Sequence, residues 1–245
     1  MRIRLLMVVV AVALAAVSAC GGGGGLFRQY EYEEDVYLSL DGTATIYVNS
    51  SIAALNALRG TSFDARPSAS IDREAIRRYF SSPVANVARV TTSRRNGRQF
   101  VHARVEVDDI RRLSEGAPFA WSAYRFKEGD GQFLYEQAIG PAAGIDVGDV
   151  GWNGGEIVAF RLHVPSKIDF HNTRRSIGRG NILVWEQPLA ERLRGEPLTL
   201  DARMATQSIL YRTLWLFGST MAAVALTFAL VIWWTLRRGP KPVEA

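Results

Sequence analysis

Between two apolar runs, at residues 5–19 and 214–236, hydrophobic positions along the chain recur mostly with a period of two. In YEYEEDVYLSL (30–40), Tyr30, Tyr32, Val36, Leu38 and Leu40 fall on one face, broken only by Glu34. Asp41-Gly42 is a hairpin signal, and TATIYV (43–48) returns. Ser50 or Ser51 can cap a short helix, IAALNALRG, that ends at Gly60. Ser70 can cap a second, IDREAIRRYF, with Ile71, Ala75, Ile76, Tyr79 and Phe80 on a common side. VANVARVTTS and QFVHARVEV meet at Asn96-Gly97, the strongest hairpin signal in the chain. There Val101, Ala103, Val105 and Val107 face one way, and His102, Arg104 and Glu106 the other.

Asp108 can cap a short helix, DIRRLSE, and FAWSAYRF pairs with QFLYEQA across residues 128–131. A Gly-rich loop follows at 140–155, and then EIVAFRLHV, with Val158, Phe160, Leu162 and Val164 on its apolar face. The segment PSKIDFHNTRRSIGRG reads as a loop leading to NILVWEQ. Pro188 opens a short helix, PLAERLRG, and PLTLDARMA is the last strand. The pattern predicts an α+β domain: an antiparallel sheet with short helices packed on its one apolar face, plus one C-terminal transmembrane helix.

The apolar runs set the topology. Arg2 and Arg4 precede fifteen uncharged residues, Leu5–Ala19, too short for a span and ending in small residues. That describes a signal peptide over 1–19. Val17-Ser18-Ala19-Cys20 is similar to the bacterial lipobox, which makes Cys20 a lipid attachment point, and residues 20–26 then form a Gly-rich tether. Leu214–Leu236 gives 23 residues without a charge, enough to cross a bilayer, with Trp215 and Phe217 at one end and Trp233 and Trp234 at the other. Arg237, Arg238 and Lys241 outweigh Arg212, which puts the tail 237–245 in the cytoplasm and residues 27–205 outside it, at the inner or plasma membrane. The transmembrane segment is read as 213–236.

Charge then changes meaning. The chain carries a net +5, but six of its 29 basic residues lie at the membrane flanks, and Glu244 is the one acid beyond the domain. Residues 26–205 keep 23 of each sign, so a nucleic-acid partner is not indicated. The one cysteine in the chain stands before the domain, so ordinary packing must hold it.

Catalytic motifs are missing: there is no His-Glu-x-x-His, Gly-x-Ser-x-Gly or phosphate loop. No cofactor or metal is expected, and no catalytic residue is assigned. His102, His163 and His171 are dispersed, and Asp146, Asp149, Asn153 and Glu156 do not have EF-hand spacing. Two arginine clusters, Arg94, Arg95 and Arg98, and Arg174, Arg175 and Arg179, are candidate binding residues for anionic ligands.

GNILVWEQPLAERLRGEPLTLDARM (180–204), DGTATIYV, the lipobox and the single C-terminal membrane helix together resemble the LppM-type bacterial lipoproteins. The resemblance implies a secreted α+β domain held at the envelope, a binding role toward envelope lipids or glycolipids, and no established enzymatic activity, so the chain is read as a non-enzyme. The alternative is an extracytoplasmic or metal-dependent hydrolase assembled from distant residues. Convergence of His163 or His171 with Asp146 and Asp149 would favour the enzyme, and a cavity lined by Trp121 and Trp185 would favour the binding module. Metabolic labelling with an alkyne fatty acid should mark the wild-type chain and leave Cys20→Ser unmarked. Equal labelling of both would remove the lipid anchor from this reading.

Overall fold

The period-two segments become strands in a computed structural model that describes residues 28–238. The signal segment, Cys20, its tether and most of the tail lie outside the described residues. In chain order the elements are β1 (Gln29–Leu38), β2 (Ala44–Ser51), α1 (Ile52–Arg59), α2 (Arg73–Phe80), β3 (Ala85–Arg95) and β4 (Arg98–Val107). Short 3-10 helices, Ile110–Glu115 and Ala117–Phe119, lead to β5 (Ser122–Gly129) and β6 (Gln132–Ile139). Then come β7 (Glu156–His163), β8 (Ser166–His171), β9 (Ile182–Pro188), α3 (Leu189–Leu193), β10 (Leu198–Ser208) and α4 (Ile209–Arg237).

The architecture is α+β, but the strands divide between two sheets instead of forming one. A six-stranded sheet has the order β3-β4-β2-β1-β7-β9, and a four-stranded sheet the order β5-β6-β10-β8. All the pairings are antiparallel except β1–β7, which is parallel. The buried faces of both sheets contribute to one hydrophobic core. Helix α1 is buried from Ile52 to Leu58 and wedged into that core, with Ser51 capping its start and Gly60, left-handed at φ 74°, its end. Helix α2 packs on β3 and β4 through Ile76 and Phe80.

Several local expectations are corrected. Asp72, not Ser70, caps α2, because its carboxylate accepts from both Glu74 N and Ala75 N. Asp109, not Asp108, caps the 3-10 helix by accepting from Arg111 N. The presumed loop 165–180 contains strand β8, whose run SKIDFH has only one fully apolar position inside. Helix α4 begins at Ile209, several residues before the uncharged run, because Ser208 caps it and Arg212 is tolerated on an exposed turn.

The largest correction concerns β1. A bulge between Tyr30 and Tyr32 slips the alternation by one residue. Tyr30 therefore leaves the core face and lies under the Arg161 guanidinium on the other side, while Glu31 is buried as the extra residue. Glu34 does not break the apolar face as a solvated charge. It is buried at the core's centre, fully enclosed. Its Oε2 accepts from Arg59 at 2.6 Å and from the Tyr32 hydroxyl at 2.9 Å; its Oε1 accepts from the Tyr124 hydroxyl at 3.1 Å and Gln137 at 3.0 Å. The Tyr135 hydroxyl donates on to Gln137 at 2.8 Å. Arg59 also donates to Pro118 O and Tyr32 Oη, and lies 4.4 Å from the Trp121 ring centre. Burial opposes its charge, but the Tyr32 and Glu34 oxygens outweigh burial and hold it protonated. Burial likewise pushes the Tyr32, Tyr124 and Tyr135 hydroxyls well above their ordinary range, so they remain donors.

Removing one partner of a buried pair leaves the other uncompensated and costs about 3–5 kcal/mol, whereas an apolar replacement of both is often close to neutral. Arg59→Met should therefore destabilise the domain by about that amount, and Glu34→Leu combined with Arg59→Met should recover much of it. Urea unfolding of the full chain in micelles, followed by near-UV circular dichroism, measures both. Equal losses in the single and double variants would show that the pair does not act as a unit.

Candidate binding cleft at the root of the apolar helix

Register places the chemistry at two ends of the fold. At one end, β10 runs into α4 at Ser208, opposite Ser166, and Ile209 N donates to Pro165 O at 2.9 Å. His163, Tyr37, Ile182, Ala44 and Val107 belong to this same end, through the pairings of β7 with β1 and β9, of β1 with β2, and of β2 with β4. Gln29, Glu156 and the Asn96-Gly97 turn lie at the other. Helix α4 is long and apolar enough to cross a membrane, and none of its residues is buried in the domain.

A cleft of about 550 Å³ opens beside the start of α4. One wall is the β1–β2 connection, with Tyr37, Ser39, Thr43 and Thr45; the others bring Glu106 and Asp108 from the end of β4, and His163, Val164 and Pro165 from the β7–β8 turn. Asp41 shapes the hairpin by accepting from Thr43 N and Oγ1, at 2.9 and 2.8 Å. The His163 ring stacks on Tyr37 at 3.8 Å, and Tyr47 meets Tyr37 edge-on at 5.5 Å. Among the described residues, His163 Nε2 is buried without a hydrogen-bond partner. Burial pushes the His163 imidazole below its ordinary value, with Asp35 opposing and Arg161 assisting, so the ring is neutral at pH 7. The lining holds two carboxylates, four hydroxyls, including that of Tyr37, and an aromatic stack, with no arginine or lysine. It is suited to a ligand rich in hydroxyl groups and repels phosphate.

Of the arginines predicted to bind anions, Arg174 and Arg175 line one cleft and Arg98 another. Arg98 is buried in an ion pair with Glu31 at 2.8 Å and donates to Gly151 O at 2.9 Å, so it pins the Gly-rich loop. Arg95 covers the Phe100 ring at 4.2 Å and donates to Tyr30 O. Arg175 pairs with Glu186 at 2.6 Å, which also binds Arg28 and the Tyr30 hydroxyl. Arg94, Arg174 and Arg179 are exposed.

The hydrolytic constellation is not assembled either. Asp149 lies beside Asn96–Gln99 at the far end, and His163 at the α4 end. Asp146, Asp149 and Asn153 accept from loop amides two residues on, and Glu156 takes Asn153 N and Gly154 N, both at 2.8 Å. Among the described residues no group of three His, Cys, Asp or Glu is placed to hold a metal. Trp121 packs on Arg59, while Trp185 lines a cleft with Arg174 and Arg175. The α4-end cleft was missed because its residues are short runs from segments far apart in sequence. Its one sequence signal is the pair Thr43 and Thr45 at the start of β2.

No protein-family model matches the chain, and no curated protein matches it. A solved structure that matches is the NMR structure of the folded domain of Mycobacterium tuberculosis LppM. Identity is 14%, the match covers 75% of this chain and 95% of that one, and the TM-score is 0.39. That likeness assigns neither family nor function.

The Arg98 clamp generates a direct expectation. Arg98→Met should free residues 146–152, raising their amide exchange and shifting Trp152 emission to the red, because Trp152 Nε1 also donates to Glu31, at 3.4 Å. Unchanged exchange in this loop would show that Arg98 does not hold it.

Proposed function

We propose that the chain is a membrane-anchored binding module of the bacterial envelope. Its domain faces out of the cytoplasm and holds the neutral, hydroxylated head group of an envelope glycolipid. The observation that carries this reading is the place of the cleft: the backbone that starts α4 bonds to Pro165, which lines it. A head group standing out of the bilayer around α4 would meet Ser39, Thr43, Thr45 and the Tyr37–His163 stack without leaving its membrane. The carboxylates of Glu106 and Asp108 accept from sugar hydroxyls, and the aromatic stack covers an apolar sugar face.

Topology supports the same reading. Arg237 and Arg238 lie over the Trp233 and Trp234 rings, at 4.4 and 3.5 Å, the arrangement of an interfacial belt with basic residues on the cytoplasmic side. Lipidation at Cys20 would add a second hold on the membrane. It enters the fold at Gln29, the end remote from α4.

The full chain reconstituted in phosphatidylcholine nanodiscs, with and without glucosyl diacylglycerol, tests the proposal by amide exchange. The glycolipid should protect residues 39–45 and 178–182 in the wild type, and Tyr37→Ala should abolish that protection. Identical exchange in the two disc types would sink the reading, and release of free sugar from the glycolipid would replace it with a hydrolase.

A further inference from the structure

The six-stranded sheet buries one face and leaves the other open. On the open face, β2, β4 and β3 place Tyr47, Arg104 and Arg89 in one transverse row, and Asn49, His102 and Thr91 in the next. Tyr47, Arg89, Thr91, His102 and Arg104 line a depression of about 340 Å³. We propose that this depression is an oxyanion site, in which Arg89 and Arg104 grip a phosphate- or sulfate-type group of a soluble ligand above His102.

Three observations carry the proposal. First, Arg89 and Arg104 are directly opposite across two strands, where like charges destabilise a sheet. Three other arginines are matched to carboxylates of β1: Arg59 to Glu34 and Arg98 to Glu31 inside, and Arg161 to Glu33 and Asp35 on the outer face. Arg89 has no carboxylate within ion-pair distance among the described residues, and Arg104 has a half-exposed contact with Glu106 at 3.2 Å. A bound oxyanion would remove the repulsion and receive charge-assisted hydrogen bonds from both forks.

Second, the floor is fixed. His102 Nδ1 meets Asn49 Oδ1 at 2.9 Å, and Nε2 meets Ser93 Oγ at 2.7 Å, so the ring is held from both neighbouring strands. With Nδ1–H donating to Asn49, neutral His102 accepts from Ser93; protonated, it donates there and places a third positive charge under the ligand. Burial holds the imidazole below its ordinary value; Arg95 lowers it further and Glu33 opposes. Those two are the charged groups that act on the ring, and Arg89 and Arg104 line the depression with it. An oxyanion above it would raise its pKa.

Third, the site stands away from the end at which α4 leaves the domain. His102 is five residues from Val107 at the α4 end, about 17 Å along the strand, and the sheet edge beyond it carries Arg94 and Arg95 with no acid on β3. A soluble ligand reaches this face directly, whereas a head group anchored around α4 does not.

The test uses the full chain in polyoxyethylene-detergent micelles with 13C-labelled histidine, His102, His163 and His171 being assigned by single His→Gln variants. Inorganic phosphate is titrated against chloride at constant ionic strength. The expected result is a saturable shift of His102 alone with its pKa raised. Arg89→Gln and Arg104→Gln should each weaken the apparent Kd roughly tenfold, and Arg89→Lys should weaken it less. A non-saturable shift, a shift shared by all three histidines, or no effect of the glutamine variants overturns the site. A His102 response to micelles containing phosphatidylglycerol, with none to phosphate, overturns the soluble ligand.

Discussion

Everything in this domain is built around one buried charge pair. Glu34 on β1 and Arg59 at the end of α1 meet at 2.6 Å where water does not reach. Either charge alone would be prohibitively costly there. Together with Tyr32, Tyr124, Gln137 and Tyr135, they tie the six-stranded sheet to the four-stranded one by directional bonds. An apolar interface of the same size would let the sheets slide. A network in which both Glu34 oxygens are taken by named donors favours a single registration, and α1 ends where its last residue meets Glu34.

The same matching of arginine to carboxylate continues along β1 and explains how a run as acidic as Glu33-Glu34-Asp35 sits in a central strand. Arg161 takes Glu33 and Asp35 on the outer face while Arg59 takes Glu34 inside. The charges left over are segregated. Carboxylates and hydroxyls line the cleft beside α4, and arginines stand on the open face toward the other end. A domain with balanced formal charge thus presents two surfaces of opposite chemical preference.

Much of the strand pattern was legible because alternation is a local signal: Val101, Ala103, Val105 and Val107 all point inward as their spacing requires. The hairpin at Asn96-Gly97 was legible for the same reason, as its turn chemistry is carried by two residues, whereas Asp41-Gly42 marks the right place but sits in a five-residue connection, Ser39–Thr43. What was not legible depended on long-range pairing. Nothing near Tyr30 announces the bulge that turns it outward, since the bulge exists only against β7. Nothing near Glu34 announces Arg59 or Tyr124 as its partners. The partners of clustered arginines were hidden for a related reason: Arg98 finds Glu31 across the sheet. The cleft is harder still, as its walls come from segments more than a hundred residues apart.

The join between β10 and α4 has a mechanical consequence. Strand β10 is bonded to β6 on one side and β8 on the other, and it continues through Ser208 into the helix. Antiparallel bonds lie across the strand axis, so the part of any pull on α4 that runs along β10 reaches them in shear and loads the ladder together instead of peeling it bond by bond. Lateral drag or turgor acting on the helix would therefore meet a stiff, high-force element at the point of attachment, and the sheet behind it would move as a rigid body.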